Sequence, residues 1–342
     1  LYPKNRYIVT SRPPGYESAP LQNGFTRLDV RNFDEAEIRR FAENWCLAVE
    51  LATGGAATGD RRTKQARQQA QTTARRRAAD AARDLVSAIT ANPAIRALAV
   101  NPLLLSIIAL VHRYRATLPR RRVDLYAECV DVLLGHWDTA KGLLGKLDAG
   151  QKRAVLQSLA LTLQCEKRRE LSRRDLAARV AGLLPGVGAA AVEADEFLDE
   201  VRERSGLLVE TGLDAYAFSH LTFQEYLAAR ALVDDETGRE TLLERLREPW
   251  WQETVLLYVG MTDATPVVST LLADGDCDTD ALLLAGRCVA EAVRLDADAR
   301  SEVRARLEAA FATCSNDDFA QIGEVLAEIA GEDSVTFFLK TA

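Results

Sequence analysis

The chain has 342 residues, 48% of them apolar and 27% charged, and a formal net charge of -7. Its length and apolar content allow two or three packing units. Its charge opposes nonspecific attraction to nucleic acid, which depends on neutralising phosphates, so any nucleic-acid role needs a local basic patch. The six cysteines, at 46, 129, 165, 277, 288 and 314, have no two-residue spacing of the kind a zinc site or redox dithiol uses. Thiols in a reducing cytosol, and hence a cytoplasmic location, are expected. Residue 1 is Leu and the single methionine is Met261, so the natural start is expected upstream.

In chain order, RYIVT at residues 6–10 reads as a short buried strand, and the prolines of SRPPGY forbid a helix after it. Residues 25–30 read as a second strand. These two are expected to be the last edge of an α/β sheet whose earlier strands precede the chain. Asp34 with Glu37 has capping-box spacing, and Ile38, Phe41 and Trp45 recur at helical spacing behind it. Residues 51–60 (LATGGAATGD) read as a loop, followed by a solvated helix rich in Arg, Gln and Ala.

Asn101 and Pro102 form a helix start, a capping side chain followed by a residue whose fixed φ suits the first turn. The apolar residues of 103–111 cover nearly every face of that helix, which predicts a place inside a helical bundle. The run is broken by Ser106 and is well short of the roughly 18 residues that a membrane span needs. A further helix is predicted over 123–137. Between 152 and 233 come three helical patterns, a β-hairpin and another helix, the layout of a winged helix. The hairpin strands are predicted at 207–210 and 215–219, with Gly212 available for a left-handed turn. After residue 240 the pattern is all helical, with breaks near 263–266, 274–278, 296–298 and 315–318, which suits stacked helix pairs of the HEAT type.

Chemistry is sparse. G-x-x-x-x-G-D-R at 54–61 is not a phosphate loop, because Asp60 stands where such a loop needs lysine and a helical pattern precedes it. H-E-x-x-H and G-x-S-x-G do not occur, so self-contained hydrolysis has no candidate residues. The runs Arg75 to Arg77 and Arg120 to Arg122 read as solvated faces.

Five ordered phrases, YIVTSRPPGY, NFDEAEIRRFAENW, NPLLLSIIALVHRY, LPRRRVDLYAECVDVLLGHW and AFSHLTFQEYLAARAL, together resemble the NACHT family of signal-transducing ATPases. The resemblance runs from Tyr7 to Leu232. It implies a mainly α, multidomain chain: the edge of a P-loop α/β domain (1–33, with sensor 1), a helical domain (34–148), a winged helix with its β-hairpin (149–236) and a helical repeat (237–342).

The resemblance also implies three nucleotide contacts. Arg12, in TSR, matches the sensor 1 arginine that reads the γ-phosphate; Pro102 matches the proline that packs against adenine; His220, in FSHLTFQEY, matches the winged-helix histidine that touches the β-phosphate of ADP. Phe223, Tyr226 and Leu227 are then packing residues, with Gln224 and Glu225 solvated or facing a neighbouring domain.

The family's Walker A lysine and Walker B acids are absent from the chain, so ADP or ATP with Mg2+ is expected only in the intact protein, where hydrolysis would also reside. No cofactor is certain for this fragment. The expected partners are the upstream nucleotide-binding module, other copies upon activation, and a protein or ligand trigger, with neither membrane nor nucleic acid. The family implies nucleotide-dependent opening, self-assembly and signalling, including immune or antiphage defence. The competing readings are a helical scaffold without nucleotide chemistry and a winged-helix DNA-binding regulator.

Overall fold

The computed structural model describes residues 9, 26, 28, 31–56, 64–115, 118–119, 121–136, 146–212, 214–273, 278–313 and 316–330. The strands expected at 6–10 and 25–30, with Arg12, lie outside these apart from isolated positions.

α1 (Glu35–Ala56) starts as its sequence dictates. Asp34 Oδ1 accepts the Glu37 N–H at 2.8 Å, and Glu37 Oε2 accepts the Asp34 N–H at 3.0 Å. The helix runs on through the first half of the stretch expected to be a loop. Leu51 and Ala52 are strong helix formers, and Thr53 Oγ1 donates to the Val49 carbonyl at 2.9 Å, ahead of Gly54 and Gly55, whose propensity is weak. α2 (Lys64–Thr90) packs along α1 through Ala78, Ala82, Leu85 and Ile89, while most of its first half faces solvent. After α3 (Pro93–Ala99), α4 (Pro102–Arg115) begins with Asn101 Oδ1 accepting the Leu104 N–H at 3.3 Å. Leu105, Ile107, Ile108, Ala109 and Val111 are buried on it, as a helix inside a bundle requires. α5 (Arg122–Asp131) continues into a π-turn at Val132–His136.

The next unit is α6 (Ala149–Cys165), β1 (Glu170–Leu171), α7 (Arg173–Leu183), α8 (Ala194–Glu200), β2 (Leu208–Gly212), β3 (Ala215–Phe218) and α9 (Leu221–Asp234). It is the expected winged-helix order with one strand added. β1 pairs antiparallel with β3 (Glu170 opposite Ala217), and β3 with β2 (Val209 opposite Ala217), giving the order β1-β3-β2. Two residues carry no periodicity, so β1 left no signal in the sequence. The left-handed residue of the hairpin is Asp214 (φ 55°), whereas Gly212 lies within β2. Aspartate tolerates this region, and its Oδ1 accepts the Arg173 N–H at 3.1 Å, which ties the wing to the start of α7.

α10 (Gly238–Leu243), α11 (Gln252–Val259), α12 (Thr265–Ala273), α13 (Thr279–Glu291), α14 (Ala297–Thr313) and α15 (Asn316–Ala330) follow; the breaks expected near 263–266 and 296–298 fall a few residues earlier, at 260–264 and 292–296, those expected at 274–278 and 315–318 lie partly outside the described residues, and the break between α10 and α11 was not expected. The turns before α12 and α14 lock together at an offset of 31 residues: Arg294 Nε donates to Asp263 Oδ2 at 3.2 Å, and the Asp296 N–H donates to Thr265 Oγ1 at 3.0 Å. A single contiguous core extends from α1 to α15. Among the described residues, no helix is long and apolar enough to cross a membrane.

Candidate functional site

β3 ends at Phe218, and the Ser219 N–H closes the wing by donating to the Leu207 carbonyl at 2.8 Å. This delivers His220, half-buried and extended (φ -144°, ψ 146°), to the N-cap of α9. Its Nδ1 accepts the Thr222 backbone N–H at 3.2 Å and lies 2.9 Å from Thr222 Oγ1. A ring nitrogen that accepts carries no proton, so the neutral imidazole keeps its hydrogen on Nε2. The Nδ1 atom is thereby taken up in capping α9. Thr222 also acts on the Tyr126 phenol, lowering its pKa against the larger effect of burial.

Tyr126 comes from α5 and is buried, stacked on Tyr226 (5.8 Å between centroids, 29°) and edge-on to Phe223 (6.2 Å, 82°). Burial, reinforced by Glu253, pushes its phenol far above the usual range, so it stays a donor. Burial likewise pushes Tyr226 up to about 12.

One turn back on α5, Arg122 reaches the C-terminal helices. Its Nη1 lies 2.6 Å from Glu253 Oε1 on α11, and its Nε 3.0 Å from Glu291 Oε1 on α13. The second contact lacks hydrogen-bond alignment and is a charge contact. Desolvation opposes the guanidinium charge, but the two carboxylates outweigh it and raise the arginine pKa. Glu291 is itself raised, chiefly by burial, against the lowering effect of Arg122. Beside it, Arg121 Nη1 donates to the Gly260 carbonyl at 3.0 Å. Arg122 does not belong to the solvated face expected of the Arg120 to Arg122 run, because carboxylates distant in sequence fold onto it, whereas the Arg121 side chain stays 42% exposed and pairs with the neighbouring Asp124 at 2.8 Å.

Pro102 is exposed at the first turn of α4, with Leu104 half-buried behind it and Leu105 in the core. Arg12 lies outside the described residues. Two of the three arginines of α7 are held by acids: Arg173 pairs with Asp195 (2.9 Å) and Asp199 (3.0 Å) and lies over the Tyr216 ring, and Arg179 pairs with Glu166 (2.7 Å), while Arg174 is exposed with no ion pair among the described residues. Among the described residues no group of three or more His, Cys, Asp or Glu is placed to hold a metal.

Residues 122–232 match the family described as the winged helix-turn-helix domain C-terminal to NACHT. Over this segment the chain is similar to the winged helix that follows NACHT domains. The match begins at Arg122 and so takes in α5, whose Tyr126 and Arg122 have just been placed between the wing and the C-terminal helices. A comparison with curated proteins finds no match.

The winged helix also holds a buried amide pair that the sequence did not reveal. Gln224, expected to be solvated or to face another domain, is 1% exposed and donates from Nε2 to Gln164 Oε1 at 3.0 Å and to the Arg168 carbonyl at 3.2 Å. Gln164, itself fully buried, donates to the Trp250 carbonyl at 3.0 Å and accepts the Trp250 indole N–H on its own carbonyl at 3.0 Å. Glu225 is buried as well. The polar helix face that sequence reading assigns to solvent is therefore the seam between α9, α6 and the segment leading to α11.

Proposed function

We propose that this chain is the nucleotide-state sensing part of a NACHT switch ATPase, in which contact with a bound ADP holds the winged helix in a closed arrangement and exchange for ATP permits opening and self-assembly. The observation that carries the reading is His220 held as the N-cap of α9, with its Nδ1 accepting the Thr222 N–H. It presets a neutral imidazole whose Nε2–H donates at the N-terminus of a helix, where backbone N–H groups favour an anion. His220 would hold the β-phosphate; exposed Pro102 would lie against the base; Arg12 would read the γ-phosphate. The bound nucleotide supplies the difference between diphosphate and triphosphate, and any hydrolysis belongs to the upstream module with its Mg2+.

A contact shifts an equilibrium only by its difference in affinity between the two arrangements, so a His220 bond made in the closed form alone is sufficient in kind. Tyr126, Thr222 and Arg122 link that contact to the C-terminal helices. The turn-to-turn locks at a 31-residue offset support reading those helices as a HEAT-like repeat. The DNA-binding alternative is weakened, since two of the three arginines of α7, Arg173 and Arg179, are already neutralised by acids.

The test is His220→Asn in the intact protein. Asparagine is a strong N-cap and keeps α9 anchored, but it removes the imidazole donor. The ADP co-purifying with the variant, measured by chromatography after denaturation, is expected to fall about tenfold, equivalent to about 1.4 kcal/mol. Unchanged ADP content in a variant with unchanged helicity would overturn the sensor reading.

A further inference from the structure

α1 and α2 enclose a groove of about 680 Å³, lined from α1 by Arg39, Glu43 and Leu47 and from α2 by Arg75, Ala79 and Arg83 among others. Its floor is apolar and shallow in side chain, with Ala78 and Ala82 buried, Ala79 exposed, and Val86 and Leu47 half-buried. Its rim is basic. Arg83 pairs with Asp80, but Arg39 and Arg75 are exposed and have no ion pair among the described residues. In the winged helix, by contrast, Arg173 and Arg179 are both neutralised. The chain as a whole is acidic, yet basic side chains outnumber acidic ones before residue 149, and the reverse holds after it. Two unpaired guanidiniums over an alanine floor are therefore a local departure from the charge of the molecule.

We infer that this groove docks an acidic amphipathic α-helix of a partner protein. Alanines at the spacing 78, 79 and 82 present one face of α2 without bulk, so a third helix can approach closely between α1 and α2. Leu47 and Val86 offer it apolar contacts, and Arg39 and Arg75 offer charge-assisted hydrogen bonds to carboxylates on its flanks. A nucleic acid fits less well. The alanine floor gives a phosphate backbone nothing, Glu43 faces the same groove, and no aromatic ring lines it for base stacking. The assignment is independent of the nucleotide reading, since Arg39, Ala79 and Arg75 take no part in the contacts of His220.

The probe is a fluorescein-labelled synthetic helix with alanine and leucine on one face and glutamates on both flanks, titrated by anisotropy into the full chain at low and moderate salt. Comparison ligands are an unstructured glutamate peptide of equal charge and a labelled DNA duplex. The helix is expected to bind at least about tenfold more tightly than either. Ala79→Trp, which fills the groove from an exposed position, and the double variant Arg39→Glu with Arg75→Glu are each expected to weaken it about tenfold, with circular dichroism unchanged. Equal affinity for the unstructured peptide would reduce the groove to bulk charge and overturn the proposal, as would tighter binding to DNA. Concentration-dependent dimerisation of the wild type in ultracentrifugation, abolished by the same variants, would replace the partner helix with a second copy of this chain and overturn it too.

Discussion

The helices α2 and α9 show two ways in which a polar sequence can be helical. α2 is rich in Arg, Gln and Ala, and between Gln68 and Arg77 only Ala70 and Ala74 are even half-buried. α9 carries Gln224 and Glu225 in its middle and buries both, together with Phe223, Tyr226, Leu227, Ala228 and Ala229. The first helix draws its stability from propensity and one narrow packed strip, and the second from partners that arrive from α5, α6 and α11. Polarity alone does not distinguish a surface arm from a hub. What distinguishes them is whether each buried donor and acceptor has been met.

This contrast can be tested with three substitutions, in order of decreasing effect. Arg122→Ala removes the cation between Glu253 and Glu291 and leaves two partly buried carboxylates facing each other. A fully buried pair broken this way costs about 3–5 kcal/mol, and the residual exposure here reduces the expectation to about 2–3 kcal/mol in urea unfolding. A loss below about 0.5 kcal/mol, the size of an ordinary surface change, would show that solvent already satisfies the clamp and that α5 is not pinned to the C-terminal helices through it.

Gln224→Ala, at the centre of the hub, leaves the Gln164 amide and the Arg168 carbonyl without their donor. The expected cost is about 1–3 kcal/mol, the penalty for an unmet buried polar group. Amide hydrogen exchange should accelerate in α6 and α9 together. Acceleration confined to α9 would argue that the two helices are not joined by this amide pair.

Arg76→Ala lies on the arm, exposed and unpaired among the described residues, so its effect on stability should stay within about 0.5 kcal/mol. A larger loss would mean that the first half of α2 packs against something in solution, and α2 would cease to be the counterexample to α9.

Part of the site was legible in the sequence. The phrase FSHLTFQEY placed His220 at the end of the wing, and the structure finds it there as the cap of α9. What the sequence did not carry is the packing of Tyr126 against Phe223 and Tyr226, because Tyr126 lies on another helix. The clamp at Arg122 was read as solvent-facing for the same reason, its partner Glu253 lying 131 residues further on.

By itself the sequence determined the features that depend on neighbours within a turn or two. These are the capping box of Asp34 and Glu37, the start at Asn101 and Pro102 and the hairpin of the wing. Each is a local balance of φ preference, capping bonds and apolar period, which the chain settles without reference to the rest of the molecule. Only the tertiary structure decided which polar side chains are buried. Gln164, Gln224 and Arg122 each carry a desolvation cost, and that cost is met only when a specific carbonyl, amide or carboxylate from a distant helix folds into reach.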